Sequence, residues 1–250
     1  VRRLRRNNTL RAQWNTLLPR NPRMAEKPTL FLHIPKTGGV SLHAFLVRNL
    51  RARRPISIVA REELDALSDA QLAAHDLIAT HTDISILDRL PPCHTITLLR
   101  DPVDRVISSY HFHRADPRDL RLNRFARSVD LRTFVETEDP AFASAIENAQ
   151  VRQMLPGGRL KGASDEDMLA TAMAAIDRFD MVGRLENIDA LLARIAAHYG
   201  LEAMGAFPHR NKARNQRPGD ERYDDSIRAA IRARTALDQA LYDAVRARFG

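Results

Sequence analysis

The stretch TLFLHIPKTGGVS, residues 29–41, decides the fold. Residues 29–34 form an apolar run that predicts a short buried strand. A glycine-containing loop follows, and from Ser41 onward Leu42, Phe45 and Leu46 recur on one face, which predicts an amphipathic helix. A strand, a glycine loop and a helix in this order place successive backbone amides around a helix N-terminus. This arrangement is typical of a cradle for a phosphate group.

The side chains of the loop support phosphate binding. Gly38 and Gly39 allow a ligand to approach the backbone closely, Lys36 adds a positive charge, and Thr37 and Ser41 add hydroxyls. The Walker A pattern GxxxxGK[ST] is absent because the lysine precedes the glycines. A nucleoside triphosphatase is therefore not the favoured class. A plain glycine turn with a solvated lysine stays open as the alternative.

Further apolar runs predict a parallel sheet. They lie at 56–59, 76–80, 95–99 and 181–183, and helical patterns lie at 62–74, 101–113, 131–138, 141–154, 166–178, 187–199 and 224–248. Strands that alternate with helices favour an α/β fold: a P-loop-like parallel sheet flanked by helices, with a helix-rich C-terminal half. We expect a basic N-terminal arm over residues 1–28 and a single domain over residues 29–250.

The second motif is LLRDPVDRVISSY, which starts at residue 98. Arg100 follows a strand, and Asp101 is a good N-cap for the helix that a proline then begins. Ser108 lies roughly 10 Å along this helix from its cap. One phosphate meets both Arg100 and Ser108 only if the ligand runs along the flank of the helix. Arg105 has the helical spacing to pair with Asp101 or Asp104 instead.

Together, IPKTGG-V-S and LLRDP-xx-R-xx-S-x-Y resemble the glycan O-sulfotransferases, the group that includes heparan sulfate 2-O- and 6-O-sulfotransferases. The resemblance implies that a sulfuryl group passes from 3′-phosphoadenosine 5′-phosphosulfate (PAPS) to a carbohydrate hydroxyl by in-line displacement. It assigns the 5′-phosphosulfate to the first motif and the 3′-phosphate to the second, with these contacts: Lys36, Thr37, Gly38, Gly39, Val40, Ser41, Arg100 and Ser108. Val40 stands where the family often has threonine, so only its backbone contact is expected.

A weaker similarity extends along the chain. NAQVRQML at 148–155 and FDMVGRLE at 179–186 resemble a helix and a late strand of the family, and HRNK at 209–212 resembles a loop that closes over the nucleotide. This loop adds Arg210 and Asn211 as nucleotide contacts.

A histidine is the expected general base. His81 ends the predicted strand 76–80, on the ligand side of a parallel sheet, and histidine titrates near neutral pH. The family resemblance implies a base at this strand end and gives Lys36 the role of stabilising the leaving phosphate. His33 is the rival base, and a structural role for His81 stays open. No spacing of His, Cys, Asp and Glu indicates a metal site.

The charge of the chain favours anionic partners. The net charge is +8, which suits nucleotides or acidic glycans but does not choose among them. We expect a carbohydrate acceptor, with an anionic glycan as one candidate, and name the arginines that would line its cleft: Arg118, Arg121, Arg124, Arg127, Arg152 and Arg159. Two other classes stay open: a P-loop nucleotide-dependent kinase, and a basic nucleic-acid-binding protein, although nucleic acid is not the expected partner.

The sequence also carries expectations about location. No run of 18 apolar residues predicts a membrane span, and no apolar segment follows the basic start, so we expect no signal peptide. These patterns predict a cytoplasmic location or a peripheral position at a membrane surface. The single cysteine, Cys93, lacks a thiolate-activating pattern and is expected to be a small buried apolar residue.

Overall fold

A parallel sheet forms the centre of the molecule. The computed structural model describes residues 21–158, 162–202, 204, 206–207 and 223–250. Its five strands follow the order β2-β3-β1-β4-β5, and every pairing is parallel. The strands are β1 (Thr29–Leu32), β2 (Pro55–Ile58), β3 (Leu77–Thr80), β4 (His94–Leu99) and β5 (Met181–Arg184). The predicted α/β class, with a P-loop-like parallel sheet flanked by helices, is confirmed.

Helices cover the sheet and dominate the second half of the chain. In chain order they are α1 (Pro22–Glu26), α2 (Gly39–Asn49), α3 (Arg61–Asp65), α4 (Asp69–Ala73), α5 (Pro102–Ala115), α6 (Arg121–Ser128), α7 (Leu131–Glu136), α8 (Pro140–Ile146), α9 (Ala149–Gln153), α10 (Asp165–Ile176), α11 (Ile188–Tyr199), α12 (Asp225–Arg234) and α13 (Ala236–Phe249). Short 3₁₀ turns lie at Ile84–Arg89, Pro156–Gly158 and Leu185–Asn187.

Alternation along the central strand β1 divides the core into two layers. Leu30 and Leu32 face the layer that α9, α10 and α13 cover. Phe31 points to the opposite face, against α2 and α11. A third cluster joins α5 to α6, α7, α8 and α12 beside the sheet. The strand is buried on both faces, which is why its sequence is a continuous apolar run.

The helix boundaries differ from the sequence prediction at breaks that side chains create. The predicted helix 62–74 is two helices, because Ser68 and Gln71 form a capping box that starts α4. The predicted helix 141–154 breaks at Asn148, whose backbone is left-handed with a φ of 41°. The predicted helix 224–248 breaks at Thr235, and α6 was not predicted.

The end of the expected N-terminal arm packs against the domain. Met24 of α1 is fully buried, and its sulfur accepts a hydrogen bond from the Thr29 hydroxyl. The side chain of Asn21 donates to the carbonyl of Tyr199 at the end of α11. Residues 1–20 lie outside the described residues.

Three neighbouring strands bring the candidate residues to one edge. β1 lies between β3 and β4, so the residues that follow these strands, His33, His81 and Arg100, come out side by side at their carboxyl ends. The backbone ladder continues past the strands, because the His33 amide donates to the Thr80 carbonyl at 2.8 Å. The edge is therefore rigid at the point where the side chains of the site begin.

Candidate active site

The loop after β1 is built to expose backbone donors. Gly38 has a φ of 88°, a left-handed conformation that favours glycine. The Thr37 hydroxyl donates to the Ile34 carbonyl at 2.9 Å and closes the loop. No side chain caps α2, and the amides of Gly39 and Val40 precede its first intrahelical hydrogen bond, from Ser41 to Gly38. These amides are donors for an anion at a helix N-terminus.

Gly39 is required because an imidazole packs directly on its backbone. A Cβ atom at this position would lie 2.0 Å from Cδ2 and 2.1 Å from Nε2 of His33. The His33 ring stacks on Phe31 with 5.2 Å between centroids and lies 4.2 Å from the His81 ring. The second glycine of the loop thus makes room for a side chain of the site.

Two cations meet in the loop. Arg100 leaves the end of β4, and its Nη1 donates to the carbonyl oxygen of Lys36 at 3.2 Å. The Lys36 backbone is left-handed with a φ of 73°, and its ammonium lies 3.9 Å from the centre of the Phe112 ring. Burial, followed by the charge of Arg100, lowers the pKa of Lys36 to about 8. This concentration of positive charge at a half-buried loop is suited to an anionic ligand.

His81 is held in one tautomer. Its Nδ1 lies 2.8 Å from the carbonyl oxygen of His33, and a carbonyl only accepts, so Nδ1 carries the proton. Nε2 of the neutral ring is then left with its lone pair. Burial lowers the pKa of His81 below its usual value, and the hydrogen bond to His33 opposes that shift. The ring is neutral near pH 7 and can accept a proton at Nε2.

Two more imidazoles adjoin His81. Burial, then the charge of His81, lowers the pKa of both His33 and His43. His43 lies one helical turn after Gly39 on α2, the residue against which His33 packs. Among the described residues, Nε2 of His43 is buried without a hydrogen-bond partner. Three neutral imidazoles therefore lie beside two cations.

Helix α5 forms the wall opposite the loop. Ser108 and Phe112 are one turn apart on the same face, and Phe112 contacts the Lys36 ammonium while 41% of its own surface is exposed. Ser108 is half-buried on this face. The geometry places Ser108 on the same side of the sheet as Lys36, along the flank of the helix.

The structure therefore brings most of the predicted site residues together. Lys36, Arg100 and His81 surround one edge of the sheet, with the loop amides between them. Arg210 and Asn211 lie outside the described residues. Sequence reasoning missed His43 and Phe112 as site residues. An exposed aromatic one turn after Ser108 was the available signal for Phe112.

The expected partner of Arg105 is wrong. Its side chain is 1% exposed and points into the core, where Nε lies 3.9 Å from Asp238 Oδ2 and Nη2 donates to the carbonyls of Ala145 and Ile146. Asp101 instead caps α5 by accepting from the amide of Asp104.

The surface arginines of the expected glycan cleft have local partners. Arg118 pairs with Asp116, Arg121 with Asp139 and Arg124 with Asp119. The side chain of Arg127 donates to the carbonyl of Asp116. Three of these arginines are thus paired with carboxylates, and Arg159 of the expected cleft lies outside the described residues.

Comparison with known proteins identifies the family. A family model described as "Sulfotransferase family" matches residues 24–249. The chain belongs to the sulfotransferase family. Over 86 residues, 33% of the chain, it is 37% identical to a protein-tyrosine sulfotransferase of Arabidopsis thaliana, of which the match covers 16%. The solved structure of mouse sulfotransferase SULT7A1 complexed with PAP matches with a TM-score of 0.38 and 15% identity, over 72% of this chain and 61% of that one.

Other features of this sulfotransferase-family chain bear on the expectations above. Within the described ranges, no helix is long and apolar enough to span a bilayer. In the same residues, no group of three or more His, Cys, Asp or Glu is placed to hold a metal ion. Burial, followed by the charge of Asp180, raises the pKa of the Cys93 thiol to about 11. The thiol is therefore protonated at neutral pH and is a poor nucleophile.

Proposed function

We propose that the protein transfers a sulfuryl group from PAPS to a hydroxyl of a carbohydrate acceptor. The observation that carries the proposal is the contact between Arg100 and the backbone of Lys36, at 3.2 Å. A nucleotide with a 5′-phosphosulfate and a 3′-phosphate needs two cationic centres within its own length. A loop lysine and a strand-end arginine on the same edge of the sheet supply them.

The residues present fit such a ligand. Helix α2 begins at Gly39 without a side-chain cap hydrogen bond, so its first backbone amides are available to a phosphosulfate. Lys36 holds the 5′ end, and Arg100 holds the 3′-phosphate with Ser108 farther along α5. Arg210 and Asn211 complete the proposed nucleotide contacts. The anionic head supplies the sulfuryl group, and the chain supplies charge, hydrogen bonds and orientation.

His81 is the proposed general base. Its Nε2 takes the proton of the acceptor hydroxyl while the acceptor oxygen forms its bond to sulfur in line with the leaving group. The electron pair of the breaking sulfur–oxygen bond stays on the 5′-phosphate oxygen, where Lys36 and the loop amides stabilise the added charge. The carbonyl of His33 keeps His81 in the tautomer that leaves Nε2 free to accept. The step requires no metal ion.

The acceptor class has two candidates. The motifs of the loop and of α5 resemble the glycan O-sulfotransferases, which supports a carbohydrate hydroxyl. The match to a protein-tyrosine sulfotransferase over 86 residues favours a tyrosine hydroxyl as the second candidate. Because Arg118, Arg121 and Arg124 have carboxylate partners, we do not require the acceptor to be acidic.

Binding measurements test the donor. Calorimetry should show tight binding of 3′-phosphoadenosine 5′-phosphate (PAP) without Mg²⁺, and weaker binding of ATP with Mg²⁺. A kinase would reverse this preference. A nucleic-acid-binding protein would instead bind DNA with an affinity that falls steeply as salt rises. Either result would overturn the proposed function.

Transfer measurements test the class of the acceptor. PAPS labelled in the sulfuryl group is incubated with neutral glycans, acidic glycans and tyrosine peptides, and the labelled product is identified. Label on tyrosine peptides alone would reject the carbohydrate assignment and leave sulfuryl transfer intact.

Matched variants separate chemistry from folding. His81→Asn keeps a donor at the position of Nδ1 but removes Nε2, so transfer should fall by at least about 10²-fold. His75→Asn is its control, since Nδ1 of His75 also bonds a backbone carbonyl, at 3.0 Å, but away from the site. Lys36→Met should abolish transfer, and Lys27→Met, at an exposed lysine, should not. Full transfer in His81→Asn or Lys36→Met would remove that residue from the mechanism.

A further inference from the structure

The backbone of Arg100 is held by an amide side chain rather than by the sheet. β4 ends at Leu99, so the polar atoms of Arg100 need partners outside the ladder. Gln150 supplies both: its Oε1 accepts from the Arg100 amide at 3.0 Å, and its Nε2 donates to the Arg100 carbonyl at 2.8 Å. Gln150 is fully buried, and this pair of bonds fixes the point from which the guanidinium extends.

Gln150 is itself fixed by the C-terminal helix. Asp238 of α13 is fully buried, and its two oxygens accept from the amides of Gln150 at 3.2 Å and Val151 at 2.8 Å. In return, Oδ1 of Asn148 accepts from the amides of Leu237 and Asp238, both at 3.1 Å. The N-termini of α9 and α13 therefore cap each other, and they cannot move independently.

A second chain of hydrogen bonds runs from the same face of α13. Tyr242 lies one turn after Asp238, and its hydroxyl donates to Glu186 Oε2 at 2.8 Å. The other oxygen of Glu186 accepts from the amide of Asp101 at 2.9 Å. Arg184 donates to the Tyr242 hydroxyl at 3.1 Å and orients it. This chain ends on the residue that follows Arg100.

We propose that α13 is a positioning element for the 3′-phosphate site, with Asp238 and Tyr242 as positioning residues that act through Gln150 and Glu186 on Arg100. Both chains end on main-chain atoms of two consecutive residues, Arg100 and Asp101. Among the described residues, these side chains make no hydrogen bond to the loop that holds Lys36, and the link to that loop is the Arg100 guanidinium, which donates to the Lys36 carbonyl. The inference rests on the proposed function, because it takes Arg100 as the group that binds the 3′-phosphate.

The readout is the preference for a ligand with a 3′-phosphate. The dissociation constants of PAP and of 5′-AMP, which lacks that phosphate, are measured by calorimetry on the same sample. Displacement of Arg100 weakens the binding of PAP and leaves the binding of 5′-AMP unchanged. The ratio that measures the preference, the dissociation constant of 5′-AMP divided by that of PAP, therefore falls. A purely structural role of α13 would lower the melting temperature or the bound stoichiometry without changing this ratio.

Tyr242→Phe removes one hydroxyl from the second chain and should lower the ratio about fivefold, the size expected for one hydrogen bond. Tyr199→Phe is the matched control. Its hydroxyl is also buried and lies 2.7 Å from Thr29 Oγ1, at the amino end of the sheet. This control should lose comparable thermal stability and keep the wild-type ratio.

Asp238→Asn probes the first chain and should lower the ratio at least tenfold in protein that remains folded. The two backbone amides bond different oxygens of Asp238, and the substitution replaces one of these oxygens by an NH₂ group, which only donates. An unchanged ratio in folded Tyr242→Phe, or an equal fall in Tyr199→Phe, would overturn the inference while the proposed function stands. A wild-type protein that binds PAP and 5′-AMP equally would overturn both.

Discussion

Replacing Gly39 by alanine tests the contact between α2 and the imidazole cluster. The added methyl group would lie 2.0 Å from Cδ2 of His33, about 1.5 Å short of the ~3.5 Å at which two carbon atoms pack. The ring has little room to retreat, since Phe31 stacks on it and the His81 ring lies 4.2 Å from its centre. A displaced His33 ring also shifts His81, because the centroids of the two rings lie only 4.2 Å apart.

The expected cost follows from these distances. Overpacking of a filled site should lower the free energy of unfolding by about 1–3 kcal/mol. Displacement of the base by about 1 Å should lower kcat by roughly 10²-fold. Chemical denaturation and sulfuryl transfer with saturating PAPS measure the two effects.

The same substitution in a His33→Ala variant decides whether the His33 ring causes the loss of stability. In a His33→Ala protein the ring is gone, and Gly39→Ala should then be neutral or stabilising, because alanine favours helix more than glycine does. The sign of the effect on unfolding should therefore reverse between the two backgrounds. Equal destabilisation in both, or no loss in the native background, would refute the packing argument.

Three further predictions concern charged groups in the site and in the core. The pH profile of kcat/KM should be bell-shaped. Its acid limb reflects protonation of His81, whose pKa burial holds below the usual histidine value, and its alkaline limb should fall above about pH 8, where Lys36 loses a proton. A flat profile from pH 7 to 10 would contradict the role of Lys36. Phe112→Leu removes the aromatic ring that stabilises the Lys36 ammonium. The alkaline limb of the pH profile should therefore move to a lower pH by about half a unit. A shift to higher pH would contradict this role of Phe112. Arg105→Met leaves Asp238 buried without its cation and should lower the free energy of unfolding, measured by urea denaturation, by about 3–5 kcal/mol. Arg118→Met, at an exposed ion pair, should lower it by under about 1 kcal/mol. Equal losses in the two variants would contradict this reasoning.

The strands and the loop could be predicted from the sequence because their signals are local. A strand buried on both faces, such as Thr29–Leu32, is an unbroken apolar run. The loop motif is contiguous, and its glycines mark the turn. The break at Ser68 was also visible, since Ser68 and Gln71 have the spacing of a capping box. Helix α6 was missed although the spacing of Leu122, Phe125 and Ala126 is helical, because it spans only 8 residues.

The supports of the site could not be predicted, because their partners are far apart in sequence. Gln150 holds Arg100 across 50 residues, and Asp238 holds Val151 across 87. Neither pair has a spacing that marks it. Arg105 shows the same limit: two aspartates lay within helical reach, yet the buried carboxylate of Asp238 is its partner. Helical spacing favours a pairing only where both side chains share the helix surface.

The order of the strands explains why distant motifs form one site. β1 lies between β3 and β4, so the loop after β1 has the strand end of His81 on one side and that of Arg100 on the other. The proposed base on one flank and the proposed 3′-phosphate arginine on the other define a direction across the loop, with Lys36 between them. In the proposed reaction the acceptor enters beside His81, and in-line displacement requires it to attack sulfur opposite the 5′-phosphate oxygen that leaves. Under the inference drawn above, α13 acts on this arginine through the end of β4, where Gln150 and Glu186 bond the main chain of Arg100 and Asp101. Gln153 of α9 bonds the carbonyls of His33 and Thr82 beside the proposed base, so the ratio of PAP to 5′-AMP binding, rather than overall activity, is the measurement that isolates Arg100.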